Sequence, residues 1–327
     1  MARSRVALPL GYSRYATLSA PCPATKWPPS MDIRIVLTGL GMIPPSADGP
    51  WPAPAKLNLC LHINGRRADG YHELQTVFQF LDCWDELYFE VHAAGPVRRA
   101  MGPGSVPEDQ DLCVRAAKLL RDVAGVGRGV TIYLDKRLPV GGGLGAGSSD
   151  AATTLVSLNR LWGLDMEIAE LAGIGRRLGA DVPVFIRGRA AWGEGRGDEL
   201  SPISLPEPWY LILVPPVSVS TAEVFSAPEL TRDAPRIKIT DFLSGAGRND
   251  CEPVVRRRYP QVAEALDWLG RHALARLTGT GCCVFAAFDM RMEADRIAES
   301  LPYGWKGFVA RGRNRSPLLV KIGPDTG

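Results

Sequence analysis

Five glycines fall within seven residues of one stretch, Pro139-Val140-Gly141-Gly142-Gly143-Leu144-Gly145-Ala146-Gly147-Ser148-Ser149-Asp150. Such a run lets the backbone take positive φ and present successive N–H groups. The segment before it, Val130 to Leu134, reads as a strand. The segment after it shows helical spacing from about Ser148 to about Trp162. A glycine loop that feeds a helix N-terminus is an anion site, because free N–H donors and the helix dipole both favour negative charge. Ser148 and Ser149 add hydroxyl donors, and phosphate is the natural guest. The competing reading is a flexible linker ending in a good N-cap, but linkers do not normally join a strand to a long helix. A Walker A loop needs a lysine after its last glycine, and none is present. A dinucleotide fingerprint can be forced onto Gly141, Gly143 and Ala146. The preceding strand, however, ends in Asp135-Lys136-Arg137, unlike a buried parallel strand, and no clear second βα unit follows.

Composition narrows the class further. The chain has 327 residues, of which 46% are hydrophobic and 22% charged. That is enough for about two domains with their own cores. The net charge of +3, from 38 basic and 35 acidic residues, argues against a general nucleic-acid binder. Arg256-Arg257-Arg258 reads as a solvated helix face. No run of ~18 apolar residues predicts a transmembrane helix. The seven cysteines include no CxxC pair and read as small buried thiols of a reducing compartment. The four histidines form no metal pattern. His72-Glu73 opens like a zinc-protease motif, but Thr76 stands where the second histidine belongs.

Residues 1–50 differ from the rest, with eight prolines, five basic residues and only two acids. A secretory signal, a transit peptide and an upstream, non-native start compete, and the last is favoured; disorder is expected there. The expected localisation is cytoplasmic, with an organelle as the alternative if 1–50 is a transit peptide. Beyond Pro54, strands are expected at 55–63, 74–81, 86–91 and 130–134. A loop is expected at 95–107, and helices at 111–124 (N-capped by Asp111) and 166–178. After Pro202 the pattern changes to short strands at 209–214, 276–278, 283–288 and 307–311. Helices are expected there near 221–227, 240–245, 249–258, 260–272 and 291–300. Strands first and helices mixed in later predict an α+β fold in two parts, 51–200 and 201–320.

Two charged residues stand out. Asp181, in Gly179-Ala180-Asp181-Val182-Pro183, sits among small and apolar neighbours, where a carboxylate can accept a proton from an alcohol; a plain helix N-cap is the alternative. Lys56 lies on an otherwise apolar strand face, and a snorkelling surface lysine is its plain alternative.

Three segments together resemble the galactokinase–homoserine kinase–mevalonate kinase–phosphomevalonate kinase (GHMP) superfamily. Pro54 to Leu59 is similar to its N-terminal motif, Pro139 to Asp150 to its ATP loop, and Thr278-Gly279-Thr280-Gly281-Cys282-Cys283-Val284-Phe285 to its C-terminal glycine motif. Gly65 to Asp82 and Gly179 to Phe185 resemble one branch, the 4-diphosphocytidyl-2-C-methylerythritol kinases of non-mevalonate isoprenoid synthesis. The resemblance spans about residues 50–320. It implies a ribosomal-protein S5 domain 2-like N-terminal domain, a ferredoxin-like C-terminal domain and substrate in the cleft between them. It implies an ATP site at Pro139, Val140, Gly141, Gly142, Gly143, Leu144, Gly145, Ala146, Gly147, Ser148 and Ser149, with Mg2+ bridging the phosphates; it names no residue as a metal ligand.

The same resemblance makes Asp181 the base and Lys56 the cation beside it. It makes Phe185 the stacker on cytosine beside Tyr71, and His72 the reader of the base's polar edge. Asn58, Thr221, Gly279, Thr280 and Gly281 become further substrate contacts. A tight turn is the plain alternative for 279–281, and core packing for Tyr71, His72 and Phe185. Departures are small: Thr278 and Thr280 stand where serine is more usual, Cys282 where the residue is usually smaller, and Asp150 where asparagine or aspartate is found. A sister kinase for mevalonate, homoserine or a sugar is the first rival, disfavoured by Tyr71, His72 and Phe185. A catalytically silent ligand binder is the second, disfavoured by intact Lys56 and Asp181. The expected partners are small molecules, with no nucleic acid, no membrane and a monomer or weak homodimer.

Overall fold

Strand β1, Trp51–Arg66, is buried along nearly its whole length, because both of its faces are covered. Its apolar residues Ala55, Leu57, Leu61 and Ile63 enter a core, while the alternate Lys56 and Asn58 line a cleft. The computed structural model describes residues 49–323. The readings of residues 1–48, Cys22 among them, lie outside the described residues.

Strand β2, His72–His92, runs antiparallel to β1 as one piece of 21 residues, where two strands were expected. The acidic stretch between the two expected runs is instead satisfied inside the sheet. Asp82 accepts from the Arg311 N–H at 2.6 Å. Asp85 accepts from the Arg137 and Leu138 N–H groups at 2.5 and 2.7 Å. The expected loop 95–107 also holds strand β3, Val97–Met101, parallel to β4, Gly129–Asp135.

Helix α1, Leu112–Ala124, is capped as expected: Asp111 accepts from the Cys113 and Val114 N–H groups, and Gly125 closes the helix at φ 64°. Next come α2 (Ala146–Leu161), α3 (Ile168–Arg176) and α4 (Val182–Arg187). A hairpin of β5 (Ala191–Glu194) and β6 (Glu199–Pro202) pairs with β2. The second half contributes β7 (Trp209–Leu213), α5 (Thr221–Ser226), α6 (Glu252–Arg258), α7 (Pro260–Gly270) and β8 (Arg276–Leu277). It ends with β9 (Val284–Phe288), α8 (Arg291–Glu299), β10 (Gly307–Arg313) and α9 (Pro317–Ile322).

The strand order is β3-β4-β2-β10-β7-β9-β8, with β1 and β5 also paired to β2. Two cores flank this sheet. One joins Phe78, Phe80, Leu87 and Ile132 to helices α1 to α4. The other joins β7, β9 and β10 to α6, α7 and α8. The halves meet where β2 pairs with β10 at Leu81↔Gly312 and Phe80↔Arg313. Past that seam the chain returns to the first half. Leu318 of α9 joins the first core, and Lys321 lies 4.9 Å from the Trp51 ring centroid. The last residues of the expected 201–320 part thus pack with the first. Among the described residues, no helix is long and apolar enough to cross a membrane.

Candidate active site

A cleft of about 730 Å³ opens between the two cores, and Lys56 lies at its base. Lys56 is only 2% exposed, so its ammonium needs partners. It donates to Asn58 Oδ1 and, at 2.9 Å, to the Gly143 carbonyl. Its Nζ lies 3.4 Å from Asp181 Oδ2. Asp181 occupies the N-cap position of α4, yet its side chain makes no capping hydrogen bond. The carboxylate faces Lys56 and the cleft, so the plain capping reading does not hold.

Three distant segments are stitched together around this pair. The Lys56 N–H donates to the Leu144 carbonyl at 3.0 Å, and the Cys283 N–H to the Gly142 carbonyl at 3.1 Å. The Asn58 N–H donates to Thr278 Oγ1 at 2.9 Å, and that hydroxyl donates to the Gly143 carbonyl at 3.3 Å. Asn58 also donates through Nδ2 to Thr76 Oγ1 at 2.8 Å. Gly141, Gly143 and Gly145 all take positive φ. At Gly143 a Cβ would sit 2.2 Å from the Thr278 carbonyl oxygen, and at Gly145 it would strike Phe185 and Lys56. Gly143 and Gly145 are therefore required by close approach as well as by conformation, and Gly141 by conformation alone.

Helix α2 starts at Ala146, two residues before the expected Ser148. Gly141, Gly142, Gly143, Gly145, Ala146, Gly147 and Ser148 line the cleft. Four of the expected phosphate contacts are not among the lining residues. Leu144 is buried in the second core, Val140 points to solvent, Pro139 flanks the loop, and the Ser149 hydroxyl is buried away from the cleft without a partner. The 279–281 segment is a tight turn, closed by the Gly281 N–H on the Thr278 carbonyl at 3.0 Å, and it also lines the cleft. Thr280 and Thr221 hydroxyls meet at 2.9 Å. Asn249, unmarked in sequence, donates to the Leu277 and Gly279 carbonyls and holds this turn.

The far end of the cleft is aromatic. Tyr71 and His72 line it as expected, but Phe185 does not. Phe185 is fully buried in the first core, edge-on to Phe80 at 5.8 Å and beneath Gly145. Its place on α4, a helix packed on α2, turns the ring inward. The aromatic partner of His72 is Phe225, at the end of α5, with ring centroids 5.0 Å apart and 27° between planes. Arg196 lies 4.6 Å from the Tyr71 ring centroid and also lines the cleft. Burial, with the charges of Arg232 and Arg66, holds the His72 imidazole below its ordinary range.

Behind the loop lies a buried charge cluster. Lys136 donates to Asp85 at 2.7 Å and to Asp150 at 2.6 Å, tying the strand before the loop to the helix after it. Burial pushes the Asp150 carboxyl up to about 8; Lys136 pulls against this and the Asp85 charge adds to it. No group of three His, Cys, Asp or Glu among the described residues is placed to hold a metal.

The comparisons with known proteins agree with this geometry. The GHMP kinases N terminal domain family matches residues 111–189, and the GHMP kinases C terminal family matches residues 228–307. A Pseudomonas paraeruginosa protein named 4-diphosphocytidyl-2-C-methyl-D-erythritol kinase is 59% identical over 271 residues, covering 83% of this chain and 96% of that protein. The chain belongs to the GHMP kinases, in their 4-diphosphocytidyl-2-C-methyl-D-erythritol kinase branch. A Halorhodospira halophila kinase of the same name is 56% identical over 275 residues, covering 83% of this chain and 96% of its own. The crystal structure of a 4-(cytidine 5'-diphospho)-2C-methyl-D-erythritol kinase superposes with a TM-score of 0.70 at 32% identity, over 80% of this chain and 98% of that one. A mevalonate kinase structure shares the GHMP fold at a TM-score of 0.62 and 15% identity, over 81% of this chain and 99% of that one.

Proposed function

We propose that this GHMP kinase transfers the γ-phosphoryl group of ATP to the 2-hydroxyl of 4-diphosphocytidyl-2-C-methyl-D-erythritol, a step of non-mevalonate isoprenoid synthesis. The observation that carries the reading is the Lys56–Asp181 pair, 3.4 Å apart, set between a glycine phosphate loop and an aromatic base end. Asp181 accepts the proton of the acceptor hydroxyl as its oxygen attacks the γ-phosphorus. The bond from the γ-phosphorus to the β,γ-bridging oxygen breaks, and ADP leaves. Lys56, 3.4 Å from Asp181, offsets charge on the transferred group, where fixed charge acts most strongly. The loop N–H groups and the N-terminus of α2 hold the ATP phosphates. Little covalent chemistry is asked of the protein, since phosphoryl transfer depends mainly on positioning and charge.

Ser148 and Asp181 both line the cleft, and with phosphate oxygens they form the hard-oxygen donor set that suits Mg2+. Magnesium held there would supply neutralisation of phosphate charge. Tyr71, His72 and Phe225 form the wall for cytosine, and mevalonate, homoserine and sugars have no base to stack there. Thr221, Thr280 and the Gly279 to Gly281 turn face the middle of the cleft, where the diphosphate and sugar alcohol lie. A cytoplasmic enzyme of small molecules, monomeric or weakly dimeric, is part of the same proposal; among the described residues no helix is long and apolar enough to cross a membrane.

Asp181→Asn tests the mechanism. Loss of a positioned base costs roughly 10²- to 10⁴-fold in kcat, with ATP affinity nearly unchanged. Near-normal turnover in that variant would reject Asp181 as the base.

A further inference from the structure

Arg232 has no part in the mechanism above, yet it makes four hydrogen bonds at the base end of the cleft. Its Nη2 donates to the Phe225 and Ala227 carbonyls, each at 2.8 Å, and Nη1 to the Leu230 carbonyl at 3.0 Å. Its Nε donates to His72 Nε2 at 3.1 Å. A guanidinium has only donors and stays protonated in proteins. His72 Nε2 must therefore offer its lone pair, which leaves the proton of the neutral ring on Nδ1. The doubly protonated ring is disfavoured by burial and by the two cations facing it, Arg232 and Arg66.

We infer that Arg232 is a positioning residue that locks His72 as the neutral Nδ1–H tautomer and thereby makes the pocket select cytosine over uracil. The inference rests on the cytidylyl reading proposed above. Cytosine N3 carries a lone pair, so a fixed N–H donor can pair with it. Uracil carries N3–H at the same place and would meet donor with donor. A free imidazole could exchange tautomers and serve either base, and Arg232 removes that choice. A site that leaves a buried polar group unpaired rejects the wrong ligand far more strongly than an apolar wall does. The same arginine grips the Phe225 backbone, whose ring stacks on His72. One side chain thus sets both the orientation of the ring stack and its hydrogen-bonding sense.

Nitrogen NMR of the full chain labelled at histidine reads the tautomer directly, with His72→Gln to assign the signal. Nδ1 should be protonated and Nε2 bare in the wild type, and Arg232→Met should give a mixture. Titration calorimetry with cytidine diphosphate and uridine diphosphate reads the consequence. The wild type should prefer the cytidine ligand by about tenfold or more, a single unpaired buried group being enough for that. In Arg232→Met the preference should fall to within about threefold, Arg232→Lys should recover part of it, and ATP affinity should not change. A protonated Nε2 in the wild type overturns the inference, as does an unchanged preference in Arg232→Met. If Arg232→Met does not fold, the wild-type spectrum alone decides. Absence of cytidine diphosphate binding with intact ATP binding overturns the cytidylyl reading itself, and the selectivity inference with it.

Discussion

The glycine loop and the aromatic end face one cleft, but they are built from different material. At the loop, the backbone makes the contacts: the Gly142 and Gly143 carbonyls accept from Cys283, Lys56 and Thr278, and no room is left for a Cβ at Gly143. At the aromatic end, side chains make them: Tyr71 comes from the residue before β2, His72 from its start, Phe225 from α5, and Arg232 from the segment after it. Phosphate is the same in every nucleotide, so a rigid backbone cradle serves it. A base must be told from other bases, and only side chains carry that information. The loop should therefore fail by losing fold and ATP together, and the aromatic end by losing the second substrate alone.

Gly143→Ala should give the largest effect after loss of Asp181. The new methyl collides with the Thr278 carbonyl at a φ of +79°, combining overpacking with backbone strain. The cost should be about 3 kcal/mol or more. Thermal denaturation should show the loss of stability, and ATP titration a loss of affinity of at least about tenfold. A stable variant with normal ATP binding would break the claim that this end is a tight backbone cradle.

Phe185→Ala and Phe225→Ala sharpen the contrast. The first opens the core beneath the loop and should cost about 3–5 kcal/mol of stability. The second should leave melting nearly unchanged and raise KM for the cytidylyl substrate about tenfold or more, as expected for losing a stacked ring. The reverse pattern would return the stacking role to Phe185.

Asp150→Asn probes the support behind the loop and has the smallest effect. A carboxyl near 8 in the folded chain against an ordinary 3.8 binds more protons folded than unfolded. Its contribution is fully present below about pH 4 and is lost as pH rises through about 8. The variant should flatten that slope, read as melting temperature against pH between about 4 and 8. An unchanged slope would place the proton elsewhere in the Asp85–Lys136–Asp150 cluster.

The same division explains how much of the molecule is legible in its sequence. The loop is contiguous, and its function follows from glycine spacing, so the anion site can be read from the residues alone. Lys56 and Asp181 can be named as candidates, though only the fold brings them within 3.4 Å. The aromatic end joins residues 71, 72, 225 and 232, and spacing along the chain says nothing of their meeting. Phe185 misleads through the resemblance, while its plain alternative, core packing, is the one the structure shows: the turn of α4 sends its ring into the core. Ser149 misleads through the same geometry, since neighbours on a helix point in different directions. The unbroken β2 is hidden because its acidic residues find partners in β10 and in the segment after β4, far along the chain.

The most direct test of the central claim is a coupled ADP-release assay with ATP and magnesium. It compares 4-diphosphocytidyl-2-C-methyl-D-erythritol with mevalonate, homoserine and galactose, and phosphorus NMR of the product locates the new phosphate. The account predicts strong turnover with the cytidylyl alcohol alone and a phosphate on its 2-hydroxyl. Turnover with another alcohol, or none from folded protein that still binds ATP, would contradict it.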